Sequence, residues 1–198
     1  MAKAALNEVG ESLRRFLEAN DGRFPFALIG GLAVSVRTEP RFTGDVDFVV
    51  AVDSDTAAES VVHHFLQRRF TIAATLENTK HNRLSTIRLS RAPSTPLVDL
   101  LFAATGIEPE VVGAAETLTV LRQRVPVARI GHLIALKLVA RDDKLRRNDA
   151  PDLRALCGVA DAEEWALAEQ AVQLITERGY SRGRDLQAAL QEWRDQAG

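Results

Sequence analysis

The chain has 198 residues, 46% of them hydrophobic, a single cysteine and a formal net charge of −2. That length supports one sizeable core with at most a smaller helical addition, and one cysteine excludes an internal disulfide. FPFALIGGLAVSV, the most apolar run, is broken by Pro25, Gly30, Gly31 and Ser35 and falls short of the ~20 residues of a membrane span; the charged, amphipathic N-terminus lacks a signal-like apolar core. The reading is a cytoplasmic protein without membrane association.

In chain order, Leu6, Val9, Leu13, Phe16 and Leu17 recur at helical spacing and stop at the turn signal Asn20-Asp21-Gly22, predicting a packed first helix over 2–19. FALIGG followed by LAVSVR reads as strand, tight turn and helix. DVDFVVAV is a Val-rich strand. SDTAAESVVHHFLQRRF is a helix capped by Ser54, with Ala57, Ala58, Val61, Val62 and Phe65 on one buried face. TIAATLE, RLSTIRLS and LVDLLFA are three further strands, the middle one alternating Leu84, Thr86 and Arg88 against Ser85, Ile87 and Leu89. From Ile107 the pattern weakens, and no firm element is expected before IGHLIALKLVARDDKL, a mostly buried helix in which Lys137 is the odd residue. Helices follow over PDLRALCGV, DAEEWALAEQAVQLITERG and SRGRDLQAALQEWRDQ, with Asp161 and Ser181 as caps and Gly179 as a stop. The fold class is therefore α+β, with a mixed sheet and a helical C-terminal portion. The composition shifts near residue 105, dividing an α/β core over 1–105 from a mainly helical part over 106–198 that completes the cleft.

The chemistry concentrates in a few acids. On a strand, alternate side chains share a face, so Asp45 and Asp47 lie side by side while Val46 and Phe48 point into the core. Two carboxylates that close raise each other's pKa unless a cation neutralises them, and oxygen-only donors suit a hard ion such as Mg²⁺ or Mn²⁺. Asp99, flanked by Val98, Leu100 and Leu101, is a third acid in an apolar setting; on an adjacent strand it would complete a metal cradle and orient or deprotonate an attacking hydroxyl. The Gly30-Gly31 turn feeding a helix would let backbone N–H groups approach a phosphate. Lys137 could reach the same phosphates, and Arg41 and Thr43 sit just before the acids. Each signal has a plainer alternative: an Asp pair capping a strand end, a lysine snorkelling at a helix edge, Arg41 pairing with Asp45, Asp149 serving as a helix N-cap. His63 and His64 read as surface or edge residues, His81 as a loop residue and Cys157 as core. The basic run from Arg122 to Arg147 reads as a solvated face or as a place for RNA phosphates.

Taken together, Gly30-Gly31, thirteen intervening residues, Asp45-Val46-Asp47 and a later Asp99 resemble the DNA polymerase β-like nucleotidyltransferase superfamily. Within it, Arg41 to Asp47, Lys137 to Arg141 and Asp149-Ala-Pro-Asp152-Leu153 resemble the AbiEii-type abortive-infection toxins, over roughly residues 24 to 156. The resemblance implies a nucleotidyltransferase fold, a nucleoside triphosphate substrate, a divalent metal held by Asp45, Asp47 and Asp99, and an essential Lys137. It also implies an acid from the stretch Asp149 to Asp152; Asn148 stands where a Lys often precedes the first of these, and Pro151 interrupts the pair, leaving both acids open. A tRNA 3′ end is the implied acceptor, within a toxin–antitoxin pair whose cognate antitoxin would be a partner. The alternatives are transfer to a small aminoglycoside-like compound or a protein hydroxyl, and a non-catalytic nucleotide-binding protein.

Overall fold

A computed structural model describes residues 2–41, 43–92, 96–140 and 149–197, with side chains from residue 6 onward. The elements run α1 (Ala2–Asn20), β1 (Phe26–Ile29), α2 (Gly30–Arg37), β2 (Val46–Val50), α3 (Asp55–Leu66), β3 (Thr71–Asn78), β4 (Arg83–Ser90), β5 (Val98–Leu101), α4 (Glu108–Gly113), β6 (Glu116–Val120), β7 (Gln123–Val127), α5 (Ile130–Ala140), α6 (Asp149–Val159), α7 (Ala162–Glu177) and α8 (Leu186–Ala197). All seven strands form one mixed sheet in the order β3-β4-β5-β2-β1-β7-β6. β2 and β5 are parallel, as are β1 and β7, and the remaining neighbours are antiparallel. The fold is α+β, as the element pattern implies.

Apolar alternation explains the core. Val46, Phe48 and Val50 of β2 are buried, and Phe16 of α1 stacks on Phe48 at 3.8 Å and on Phe65 of α3 at 5.1 Å, so three elements close over one aromatic cluster. α5 is apolar all round because it is buried between α2 and the C-terminal helices, with Leu133, Ile134, Leu138 and Val139 inside. The caps at Ser54 and Asp161 form as expected, their side chains accepting from the N–H groups of Ala57 and Glu164. Gly179, at φ +80°, ends α7.

Four expectations are corrected. The stretch after Ile107 is structured: β6 and β7 form a hairpin, and β7 joins β1, so the sheet continues past residue 105. Its two-residue turn is Leu121-Arg122, at φ +45° and +70°, a left-handed turn made without Gly or Asn. α8 starts at Leu186 and not near Ser181, because Asp185 accepts from the Ala188 N–H. His64 is buried, its Nε2 2.8 Å from the Ala19 carbonyl and its ring edge-on to Phe24 and Phe65. Arg122 to Arg147 is not one solvated face: Arg129 pairs with Glu163 and Glu164, Lys137 is enclosed, and Arg141, Lys144, Arg146 and Arg147 lie outside the described residues. Cys157 is a buried core residue whose thiol burial pushes up to about 11, too high for a nucleophile at neutral pH.

Candidate active site

One row of the sheet carries the strand acids. Ile29 of β1 registers with Asp47 of β2, Asp47 with Asp99 of β5, and Asp99 with Arg88 of β4. Register partners point to the same face, and neighbouring strands stand ~4.8 Å apart, so Asp47, Asp99 and Arg88 follow one another across that face. Asp45 precedes β2 by one residue and is half-buried, like Asp47; Asp99 is buried. Arg88 chelates Asp99, its Nε donating to Oδ1 at 2.8 Å and its Nη2 to Oδ2 at 2.7 Å. This bidentate bond, against the opposing effect of burial, pushes the Arg88 pKa up, with further help from the charges of Asp99, Asp45 and Asp47.

The Gly30-Gly31 turn abuts this row. A Cβ on Gly30 would stand 1.9 Å from Oδ2 of Asp47, and its φ of +68° is one that L side chains rarely adopt. A Cβ on Gly31 would stand 2.8 Å from Oγ1 of Thr43 and 2.9 Å from Nη2 of Arg41. The missing side chains therefore make room for the Asp47 carboxylate and for the loop carrying Arg41 and Thr43. Ser35, one turn into α2, ties that loop down: its single hydroxyl proton is shared between the carbonyls of Gly31 and Arg41, 3.0 and 3.1 Å from its Oγ.

On the other side of the turn lies a second cluster. Arg41 donates Nε and Nη2 to the two oxygens of Asp152, both at 2.6 Å. Lys137 reaches Asp152 at 2.7 Å and Asp149 at 2.8 Å. Asp149 and Asp152 both lie in the first turn of α6, both are buried, and Lys137 reaches both. Arg41 pairs with Asp152, across 111 residues, where Asp45 was the simpler partner by sequence.

Thus Gly30, Asp47 and Asp99 gather on one side, and Gly31, Thr43, Arg41, Lys137 and Asp149 on the other, with Gly30-Gly31 between them. Arg88 and Ser35 are the residues that sequence reasoning passes over, while Asp152 is one of the two acids it leaves open. Arg88 had one signal: it alternates with Leu84 and Thr86, opposite the core-facing Ile87 and Leu89. His81 is apart from the site, on the turn before β4, stacked face to face on Tyr180 at 3.9 Å.

The donors suit a hard divalent cation, since carboxylate oxygens are what Mg²⁺ and Mn²⁺ take. Gly30 also leaves the Asp47 carboxylate the space a side chain would fill. Among the described residues, however, no group of three or more His, Cys, Asp or Glu side chains is assembled to hold a metal. The Asp45–Asp47 side fits such an ion; Asp99 faces a guanidinium instead.

Carboxylates on adjacent strands beside a glycine turn at a helix start could hold a cation against a phosphate, and the family comparison decides the matter. The model for the nucleotidyl transferase AbiEii toxin of type IV toxin–antitoxin systems matches residues 11–197. The chain belongs to the AbiEii nucleotidyl transferase toxin family. It is a nucleotidyltransferase, and the AbiEii match extends beyond the 24–156 stretch that carries the sequence resemblance. The solution structure of the antibiotic-resistance factor ANT(2'')-Ia aligns with a TM-score of 0.57 at 15% identity, covering 97% of this chain and 97% of that one. An antigenic nucleotidyltransferase-like protein from Paracoccidioides brasiliensis aligns with a TM-score of 0.50 at 20% identity, covering 96% and 94%. At these identities the likeness is one of fold. No curated protein sequence matches the AbiEii-family chain. Among the described residues, no helix is long and apolar enough to cross a membrane.

Proposed function

We propose that the protein transfers a nucleotide from a nucleoside triphosphate to RNA, at the tRNA 3′ end, in a Mg²⁺- or Mn²⁺-dependent reaction, and that it acts as the toxin of a pair restrained by a cognate antitoxin. The observation that carries the reaction is the register of Asp47 with Asp99 on adjacent parallel strands, beside the Gly30-Gly31 turn. The acceptor and the biological role rest on family membership.

In this reading Asp45 and Asp47 hold the cation, which when bound supplies Lewis-acid polarisation of the reacting phosphate. Asp99 orients the acceptor hydroxyl and takes its proton. The first N–H groups of α2, freed of side chains at Gly30 and Gly31, seat the triphosphate, and the partial positive charge of the helix start favours it there. Arg41 and Thr43, packed over Gly31, flank that seat. Lys137, held between Asp149 and Asp152, supplies positive potential as charge develops on the leaving pyrophosphate.

The test is direct. The protein is incubated with each α-labelled nucleoside triphosphate, Mg²⁺ and total RNA, and with an aminoglycoside in parallel. Label is expected in the tRNA fraction and lost with Asp47→Ala. No transfer with any nucleotide, or transfer that survives Asp47→Ala, would overturn the reaction; transfer to the aminoglycoside alone would overturn the acceptor.

A further inference from the structure

A cavity of about 340 Å³ lies away from both carboxylate clusters, where the turn between β3 and β4 meets the chain leaving α7. We propose that it takes one nucleotide of the RNA acceptor, upstream of the 3′ end, with the base against His81 and a phosphate beside Lys80. This rests on the reading of the protein as a nucleotidyltransferase acting on tRNA.

The stacking wall is built before any ligand arrives. His81 lies face to face on Tyr180 at 3.9 Å with the ring planes 2° apart, and Tyr180 lies against Gly106, where a Cβ would stand 2.5 Å from its Cδ2. The His81 backbone N–H donates to the Asn78 side-chain oxygen at 3.3 Å, and its Nε2 lies 3.3 Å from the Gly179 carbonyl. A base entering the cavity meets a ring already held in place, the kind of platform on which single-stranded RNA is read.

Charge is offered beside that ring. Two nearby arginines are neutralised by acids, Arg83 by Asp55 and Arg178 by Glu110. Lys80 differs: its Nζ donates to the Gly179 carbonyl at 2.8 Å, a neutral partner that does not cancel the charge. Arg182 also lines the cavity, and Glu77 is the acid among the described lining residues. The hydroxyls of Thr79 and Ser85 on the same wall can donate or accept, which suits base edges and a 2′-OH. Stacked rings with hydroxyl groups fit a nucleotide better than an acidic peptide, which asks for cations alone.

The cavity also lies at a useful distance. Ser85 stands three residues before Arg88 on β4, ~10 Å at the rise of a strand, and Arg88 holds Asp99, the acid assigned to the acceptor hydroxyl. At ~3.4 Å per nucleotide of a stacked strand, this is about three nucleotides from the reacting end.

Equilibrium binding of end-labelled tRNA by the full chain, without nucleoside triphosphate, tests the assignment, with the fold of each variant checked by circular dichroism. His81→Ala is expected to weaken binding roughly tenfold, the scale of one lost base–aromatic stack, while His81→Phe, which keeps a ring but loses the contact with Gly179, stays within about threefold of wild type. A merely structural role would make the two variants alike. Lys80→Gln keeps a donor for the Gly179 carbonyl but not the charge, and should lower the slope of log Kd against log salt by about 0.7, the share of one phosphate contact on a single strand. Wild-type affinity in His81→Ala, equal losses in the two His81 variants, or an unchanged salt slope in Lys80→Gln would overturn the inference. So would a free nucleoside monophosphate whose binding is lost in His81→Ala while tRNA affinity is kept, which would assign the cavity to a mononucleotide. If wild type binds and labels tRNA while the variants match it, only the cavity falls; if wild type binds no tRNA, the acceptor reading falls with it.

Discussion

The two clusters that meet at Gly30-Gly31 balance charge in opposite ways. On the strands, Arg88 chelates Asp99 and feels the charges of Asp45 and Asp47, both of which are half-buried. On the helices, Arg41 and Lys137 face Asp149 and Asp152, both buried, in pairs that match charge for charge. The difference teaches where chemistry and where architecture reside. The strand row gathers carboxylates beside the glycine turn, while a buried network of ion pairs holds three distant segments, the loop after α2, α5 and α6, in one place.

The largest effect on stability is therefore expected in the helix cluster. Asp152→Asn leaves Arg41 and Lys137 short of a buried counter-charge, and breaking a buried pair this way costs about 3–5 kcal/mol, measurable by denaturant unfolding. A loss under 1 kcal/mol would mean the network is not the lock described. Next comes pH. His132 on α5 is buried and its Nδ1 meets no hydrogen-bond partner among the described residues; burial first, then the charge of Arg129, against that of Glu110, lowers its pKa to about 4. The folded state thus refuses a proton that the unfolded chain accepts near its ordinary 6.5. The contribution is complete above that value and is lost as pH falls from 6.5 towards 4, by up to about 3 kcal/mol. His132→Leu should flatten the stability profile across this window, and a slope identical to wild type would contradict the assignment.

Gly30→Ala gives a smaller stability loss, about 1–2 kcal/mol for the left-handed backbone, but sharpens the contrast. Its Cβ collides with Asp47 and not with the helix cluster. Nucleotide transfer and Mn²⁺ affinity should fall together while the Lys137 pairs persist. Retained transfer would show that the turn does not shape the strand row.

Legibility in the sequence follows the same division. Asp45 and Asp47 could be paired because strand alternation is local, and Asp99 stood out because it sits in an apolar run. Arg88 could not be placed beside Asp99, since that depends on the register of β4 on β5, which is set by pairing across the sheet. The joint anchoring of Lys137 by Asp149 and Asp152 was half legible: both acids stood out, but their common helical turn starts two residues earlier than Pro151 suggests. The β6–β7 hairpin was hidden by a turn of Leu121 and Arg122, residues that carry no turn signal.

The measurement that bears most directly on the division of labour is a paired assay of Asp47→Asn and Asp152→Asn for unfolding stability and for labelled-nucleotide transfer to RNA. Asp47→Asn should cost far less stability than Asp152→Asn, while transfer drops by roughly 10²–10³-fold or more, the scale of losing one preorganised electrostatic group. Asp152→Asn should unfold far more easily. Transfer that persists without the Asp47 charge would contradict the assignment of the chemistry to the strand row.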